Sequence, residues 1–146
     1  MNIIDTRAKG NFEFVEMNSI KNIPLFKLVP IEYSFEDNNF LSLFRAISDR
    51  LSFMFTKWMG VGFVHGVMNT DNMLVSGETI DYGPCAFMDE YNPSIYFSSI
   101  DKHGRYSYKN QPAIMIWNLS KLAEAFIPLV DKNKEKAVIE LSEVLN

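Results

Sequence analysis

Two short stretches of the chain carry side chains that could do chemistry. The first, residues 65–72, ends in Asp71 and Asn72, and the second, residues 80–84, contains Asp81. A site that transfers a group from a phosphate ester needs one carboxylate to position or deprotonate the attacking hydroxyl, and an amide and a second carboxylate to hold a divalent cation. Magnesium suits such ligands because it prefers hard oxygen donors. We call residues 65–72 the catalytic loop and residues 80–84 the metal loop.

The elements that must position these loops can be predicted from hydrophobic spacing. From residue 39 to residue 59, apolar side chains recur in steps of three and four, which predicts a long amphipathic helix. Residues 74–75 and 79–80 flank a turn whose Gly77 can adopt positive φ, which predicts a β-hairpin between the two loops. The helix and the hairpin would therefore bracket the catalytic loop.

The remaining elements are predicted from weaker patterns. Residues 12–17 and 27–33 are typical of strands, with Pro30 placing the second at an edge or in a bent segment. Residues 83–112 hold several prolines and aromatics without a sustained period, so we expect mainly irregular structure there. A helix is expected over residues 118–130. A shorter helix near the end is indicated by Ala137, Leu141 and Leu145.

The order of these elements is that of a protein kinase C-lobe, in which a helix, a loop ending in Asn, a hairpin and an Asp-aromatic-Gly turn follow one another. Residues 65–72 resemble the His-Gly-Asp-Leu-x-x-x-Asn loop of small-molecule kinases, with Asn72 as the metal amide and Asp81 as the metal aspartate. Val67 stands where those kinases have their catalytic Asp, and valine has no acid–base chemistry. A catalytic base would therefore have to be a carboxylate at another position, and Asp71 is the nearest one.

The wider strings at residues 62–73 and 79–84 closely resemble the selenoprotein O (SelO) family. Further matching strings lie at 101–108, 110–112 and 117–123. The resemblance implies a kinase-like fold that binds ATP in an inverted pose and transfers AMP to Ser, Thr or Tyr hydroxyls of proteins. Carried over by position, it implies Asp71 as the base and Asn72 and Asp81 as ligands of Mg²⁺ or Mn²⁺, with Asp81 also at the nucleotide.

Three further loop residues are predicted to be structural. We expect His65 to brace the catalytic loop through hydrogen bonds, and Gly66 and Gly83 to shape the backbone of the two loops. Taken alone, the Asp71-Asn72 pair could be an ordinary turn or cap, because Asx residues favour such places. The surrounding strings favour the functional interpretation.

A kinase-like site also needs an N-lobe, with a Gly-rich loop over the phosphates and a Lys–Glu pair. Gly10 is the only glycine before Gly60, and Lys27 and Glu36 stand in no motif. The family places arginines upstream as phosphate contacts, and Arg7 lies one place early for the second of them. Arg7 is therefore a weak nucleotide-binding candidate.

We expect an α+β, mostly helical fold in one partial kinase-like domain of residues 1–146, with residues 38–146 as the C-lobe and residues 1–37 as strands or loops. The N-lobe would be largely missing, as in a truncated gene, a split gene whose partner supplies it, or an excised C-lobe. The first function hypothesis is AMP transfer to proteins, impaired in this short chain. The second is a non-enzymatic remnant or interaction module, and a small-molecule kinase is disfavoured by Val67.

Composition limits the expected partners and setting. The formal net charge of −4 and a pI near 5.2 argue against a nucleic-acid partner. Cys85 is the only cysteine, so an intrachain disulfide is impossible and a reducing compartment is expected. The sequence shows no signal-peptide pattern and no unbroken run of 18 apolar residues, so we expect a cytoplasmic protein without a membrane span. An apolar face where the N-lobe would sit predicts self-association or a separate N-lobe chain.

Overall fold

Three helices make up half of the chain that the structure describes, which is residues 39–146 of a computed structural model. The helices are α1 (Asn39–Gly60), α2 (Gln111–Val130) and α3 (Lys134–Leu145). A single antiparallel sheet joins β1 (Phe63–Val64) to β2 (Ala86–Phe87), with Phe63 opposite Phe87. The predicted mostly helical α+β content is confirmed for this part of the chain. The strands predicted at 12–17 and 27–33, and Arg7, lie outside the described residues.

The core is built where the three helices pack against one another. α1 runs over the range predicted from its spacing, and its apolar stripe is buried as that spacing requires. The ring of Phe44 on α1 lies 5.5 Å from the ring of Phe126 on α2, centroid to centroid. The buried residues of the α1 stripe are Leu43, Phe44, Ile47, Leu51, Met54 and Trp58.

α2 begins earlier than predicted, at Gln111 instead of residue 118. Pro112 lies in its first turn, where the missing N–H has no partner to lose. The first turns were missed because residues 112–117 form an unbroken apolar run that opens with a proline and shows no helical period. The end at Val130 agrees with the prediction, two residues after Pro128.

α3 confirms the short helix predicted near the end of the chain. The side chain of Asn133 caps it, accepting hydrogen bonds from the backbone N–H groups of Glu135 at 3.0 Å and Lys136 at 3.2 Å. Ala137 and Leu141 are buried and face the core. This short helix is therefore held by a cap at its start and by packing along one face.

One stretch, Tyr108–Val130, is long and apolar enough to cross a membrane, judged by length and composition only. It contains α2, which packs against both α1 and α3. Ile114, Leu119 and Phe126 on α2 are buried in the shared core. The core packing accounts for the apolar side chains on the buried face of this helix.

The predicted two-stranded hairpin at 74–75 and 79–80 is wrong. The segment forms one antiparallel bridge, between Met73 and Thr79, closed by a turn in which Gly77 has φ +74°. The guanidinium of Arg50 donates to the carbonyl of Ser76 at 3.0 Å, so this carbonyl is tied to α1 and not to a strand partner. The true sheet lies outside this turn, and β2 falls within the region predicted to be irregular.

The packing of α3 predicts unequal costs for two truncations. Leu141 is 2% exposed and Ile139 is 60% exposed on the same helix. Leu141→Ala should lower the free energy of unfolding by roughly 2–5 kcal/mol, because it leaves a cavity in the core. Ile139→Ala removes the same number of carbon atoms from the surface and should change it by less than about 0.5 kcal/mol.

Urea unfolding followed by circular dichroism measures both variants, with the slope m compared to confirm that the folded state is unchanged. Equal losses for Leu141→Ala and Ile139→Ala would show that α3 does not dock as described.

Candidate functional site

The two loops that carry the candidate residues lie against each other. Nε2 of His65 is 2.7 Å from the carbonyl oxygen of Ile80, which joins the start of the catalytic loop to the start of the metal loop. Gly66 has φ +88°, and a Cβ built on it would lie 2.7 Å from the carbonyl oxygen of Pro84. The backbone of one loop is therefore packed on the backbone of the other, and glycine is required at position 66.

The predicted bracing role of His65 has a specific geometry. A carbonyl can only accept, so the proton lies on Nε2, and Nδ1 is left to accept from the N–H of Val67 at 3.4 Å. The imidazole is fully buried and stacks on the indole of Trp58, with centroids 5.3 Å apart. The indole N–H in turn donates to Oγ1 of Thr79 at 2.9 Å. His65 and Trp58 together fix the metal loop relative to α1.

Two buried polar side chains of α2 hold the backbone of the catalytic loop and the strand before it. Oε1 of Gln111 accepts from the N–H of His65 at 3.0 Å, and Nε2 of Gln111 donates to the carbonyl of Phe63 at 3.0 Å. Nδ2 of Asn118 donates to the carbonyl of Met68, also at 3.0 Å. Sequence reasoning gave these two residues no role. The available signal was a polar residue at a core-facing position of an otherwise apolar helix.

A third anchor comes from the chain before α2. The carboxylate of Asp101 accepts from the N–H groups of Arg105 and Tyr106, each at 2.8 Å, which fixes the turn that carries Tyr106. The hydroxyl of Tyr106 donates to Oδ1 of Asn69. This turn therefore reaches the catalytic loop two residues before the candidate base.

Asp71 and Asn72 lie on a single 3₁₀ turn, Thr70–Asn72. The Asp71 carboxylate is exposed, as a base that must meet a substrate hydroxyl has to be. Nδ2 of Asn72 donates to the carbonyl of Val67 at 2.9 Å. This bond orients the amide and leaves its oxygen as the atom that could ligate a cation.

Asp81 has a backbone conformation that most residues avoid. Its φ is +55°, and within residues 39–146 it is the only non-glycine residue with positive φ. Aspartate tolerates this region better than most side chains, and such conformations concentrate at functional sites because the surroundings must enforce them. The N–H of Gly83 donates to the carbonyl of Asp81 at 2.7 Å. Gly83 takes part in the turn, although a Cβ at this position would meet only that carbonyl, at 4.0 Å.

The donor set fits a magnesium-type cation only with help from a ligand. Asn72 immediately precedes the Met73–Thr79 bridge and Asp81 follows it by two residues, so the bridge brings their segments together. One amide oxygen and one carboxylate leave most of an octahedron to water and phosphate oxygens, which is how magnesium is usually held beside nucleotides. No cluster of three or more His, Cys, Asp or Glu side chains that could hold a metal occurs within residues 39–146. One amide oxygen and one carboxylate are donor types that occur where phosphate oxygens complete the shell of a cation.

Comparison with known proteins places the chain in a family. It is similar to proteins named "Protein nucleotidyltransferase YdiU". Those of Rhizobium etli and Agrobacterium fabrum are each 57% identical over 109 residues, covering 75% of this chain and 22% of the relative. That of Brevibacillus brevis is 47% identical over 143 residues, covering 93% of this chain and 29% of the relative. The chain thus spans about a fifth to less than a third of the length of these relatives.

The family model described as "Protein adenylyltransferase SelO" matches residues 15–144. Because this match covers most of the sequence, the chain belongs to the SelO family. The resemblance inferred from the loop strings is confirmed, and it extends beyond the loops at both ends.

The close approach of the two loops predicts a contrast between two glycines. Gly66→Ala should lower the free energy of unfolding by at least about 1–3 kcal/mol, because the new Cβ would clash with the Pro84 carbonyl at a strained φ. Gly60 is the last residue of α1, and nothing lies within 4 Å of a Cβ there. Gly60→Ala should therefore be neutral or stabilise by up to about 1 kcal/mol.

Thermal and urea unfolding of both variants beside the unaltered chain test this contrast. A Gly66→Ala protein as stable as Gly60→Ala would mean that the two loops are not packed in this way.

Proposed function

We propose that this chain carries the catalytic and metal loops of a SelO-like site that transfers AMP from ATP to Ser, Thr or Tyr hydroxyls of proteins, on a kinase-like C-lobe. The observation that carries the proposal is the contact between the two loops, through His65 with Ile80 and Gly66 with Pro84. The family match supports the same chemistry, since the matching model describes an adenylyltransferase.

In this proposal the chain's own residues divide the work. Asp71, exposed on its 3₁₀ turn, accepts the proton of the attacking hydroxyl. The amide oxygen of Asn72 and the carboxylate of Asp81 hold Mg²⁺ or Mn²⁺ together with phosphate oxygens of ATP. When bound, the cation supplies charge neutralisation on the phosphate being attacked. The hydrogen bond from Asn72 to Val67 uses the amide nitrogen and leaves the amide oxygen for the cation.

AMP transfer and phosphate transfer need the same side chains. The two reactions differ in which phosphate of ATP faces those side chains. An inverted ATP would present its α-phosphate to Asp71 and to the cation, and pyrophosphate would leave. This is a change of substrate position without new functional groups, and positioning is a large part of how such sites accelerate transfer. The side chains of Asp71, Asn72 and Asp81 are compatible with this role.

We further propose that residues 1–146 transfer AMP poorly when they act alone. The first 59 residues contain one glycine, Gly10, so they cannot encode a Gly-rich loop over the phosphates. Exposed aromatic side chains in and near the metal loop form a surface on which a separate N-lobe chain or a second copy would dock and supply the phosphate-binding loop. They include Tyr82, Phe87 and Tyr91, each more than 60% exposed. A non-enzymatic interaction module is the alternative that the same surface favours.

Labelling with α-³²P-ATP tests the transfer step. The purified chain with Mg²⁺ or Mn²⁺ should label a mixed protein substrate weakly or not at all, because its first 59 residues hold no Gly-rich loop to cover the phosphates. Any label that does form should disappear in Asp71→Asn, which keeps the side-chain shape but removes the base.

Robust labelling by the chain alone would contradict the proposed impairment. Label that persists in Asp71→Asn would remove Asp71 from the role of base. Release of ADP instead of pyrophosphate would favour the small-molecule kinase alternative.

Calorimetric titration with Mg²⁺-ATP tests the metal ligands separately from turnover. Asp81→Ala should weaken binding roughly tenfold to a hundredfold, since a charge-assisted contact is lost. Glu143→Ala removes an exposed carboxylate on α3 and should leave binding unchanged.

Equal affinity of the Asp81→Ala and unaltered chains would exclude Asp81 as a ligand. An unaltered chain without measurable binding would support the non-enzymatic alternative.

A further inference from the structure

A basic stretch of the chain follows the acidic one that carries the candidate residues. Residues 71–90 contain five carboxylates and no lysine or arginine. Residues 101–121 contain four lysines and arginines and a single carboxylate, that of Asp101. Asp101 is buried, and its carboxylate accepts from two backbone N–H groups of its own turn. The basic stretch is therefore a local exception in a chain whose formal net charge is −4.

Arg105 is an exposed residue of this stretch whose side chain is held in place. Its guanidinium carbon lies over two aromatic rings, 5.1 Å from the centroid of Trp117 and 5.6 Å from that of Tyr106. Its backbone N–H donates to the carboxylate of Asp101 at 2.8 Å. A guanidinium that lies on a ring uses its flat face, so the N–H donors in its plane stay available to another partner.

The charge of Arg105 is not compensated within residues 39–146. The ion pairs of this part of the chain are made by Lys121 and Lys136, and the guanidinium of Arg105 has no carboxylate or hydrogen-bond acceptor there. Lys121, whose ammonium lies 5.8 Å from the centroid of the Trp117 ring, is paired with Glu124 at 2.6 Å. An arginine held on two rings with its side-chain donors unused is prepared for a carboxylate, which it can bind through two parallel hydrogen bonds.

The turn that carries Arg105 is tied to the catalytic loop. The hydroxyl of Tyr106 donates to Oδ1 of Asn69, two residues before Asp71. We propose that Arg105 binds a carboxylate of the protein that brings the attacking hydroxyl, so that Ser, Thr or Tyr residues flanked by Asp or Glu are the preferred substrates. This role of Arg105 presupposes the proposed transfer to protein hydroxyls, whereas the binding of an acidic peptide can be measured without it.

Two blocked peptides form a matched pair of probes. Each has a central Ser, flanked on both sides by two Asp residues in one peptide and by two Asn residues in the other. The ¹⁵N-labelled chain is titrated with each at low ionic strength, without ATP or metal, and the two indole N–H signals are followed.

The two tryptophans of the chain give a reporter and an internal reference. Trp117 is 43% exposed beside Arg105, so its signal should shift on binding. Trp58 is 6% exposed and its N–H is bonded to Thr79, so its signal should stay in place. The Asp peptide should give saturable shifts with a dissociation constant on the order of millimolar. The Asn peptide should bind at least about threefold more weakly, because it lacks the charge-assisted bonds.

Two substitutions with the same change of charge show which arginine binds the peptide. Arg105→Gln should weaken binding of the Asp peptide at least about threefold. Arg45→Gln, which alters an exposed arginine on α1, should leave it unchanged. An unmoved Trp58 signal in both variants confirms that the fold is intact.

Saturable binding that needs both the Asp residues and Arg105 supports the proposal. No saturable shift with the Asp peptide, equal binding of the two peptides, or equal losses in Arg105→Gln and Arg45→Gln overturns it. A loss of Mg²⁺-ATP affinity in Arg105→Gln would assign this arginine to the nucleotide and would overturn it as well. Because the peptide titration contains neither ATP nor cation, its failure is distinct from a failure of the metal ligands in the Asp81→Ala titration.

Discussion

The candidate site depends on hydrogen bonds that cross from α2 to the backbone of the catalytic loop and the strand before it. An irregular loop cannot pair all its own backbone groups as a helix or sheet would, and buried unpaired groups are costly. Gln111 and Asn118 solve this by supplying side-chain partners from inside the core. The three-helix packing places these amides at the required depth, so the geometry of the loops follows from the core.

The two loops are then coupled by contacts that tolerate little variation. His65 donates from Nε2 and accepts at Nδ1, so a single tautomer satisfies both bonds, and its buried ring stacks on Trp58. Gly66 permits an approach that any side chain would prevent. Asp81, in the metal loop, has an unfavourable positive φ that the surrounding residues must maintain. Rigidity in the supporting residues and exposure of Asp71 and Asp81 are the combination expected where reactive groups must be held in place while they meet a substrate.

The sequence predicted the elements that local residue patterns determine. It missed the features that depend on contacts between residues far apart in the chain. α1 follows from apolar periodicity and was found at nearly its true limits, and the short helix α3 was predicted near the end of the chain from Ala137, Leu141 and Leu145. In place of the hairpin the segment keeps one bridge, Met73–Thr79, and its turn is held by Arg50 of α1, a tertiary contact that the local pattern does not contain. The start of α2 was missed because residues 112–117 are an unbroken apolar run without a helical period. The role of Gln111, which bonds a loop 46 residues earlier, leaves no periodic pattern either. The loop strings identified the family correctly, yet the residues that hold those loops carry no chemistry of their own and became visible only through their contacts.

The separation between the catalytic loop and its supports has a consequence for how the protein is made. The partners of His65 and Met68 lie 46 and 50 residues further along the chain. During translation the ribosome releases the loop well before it releases α2, and domains fold as their segments emerge. The nascent chain must therefore carry this loop unsupported until α2 has left the exit tunnel, so the loop acquires its shape only after about 50 further residues have been made.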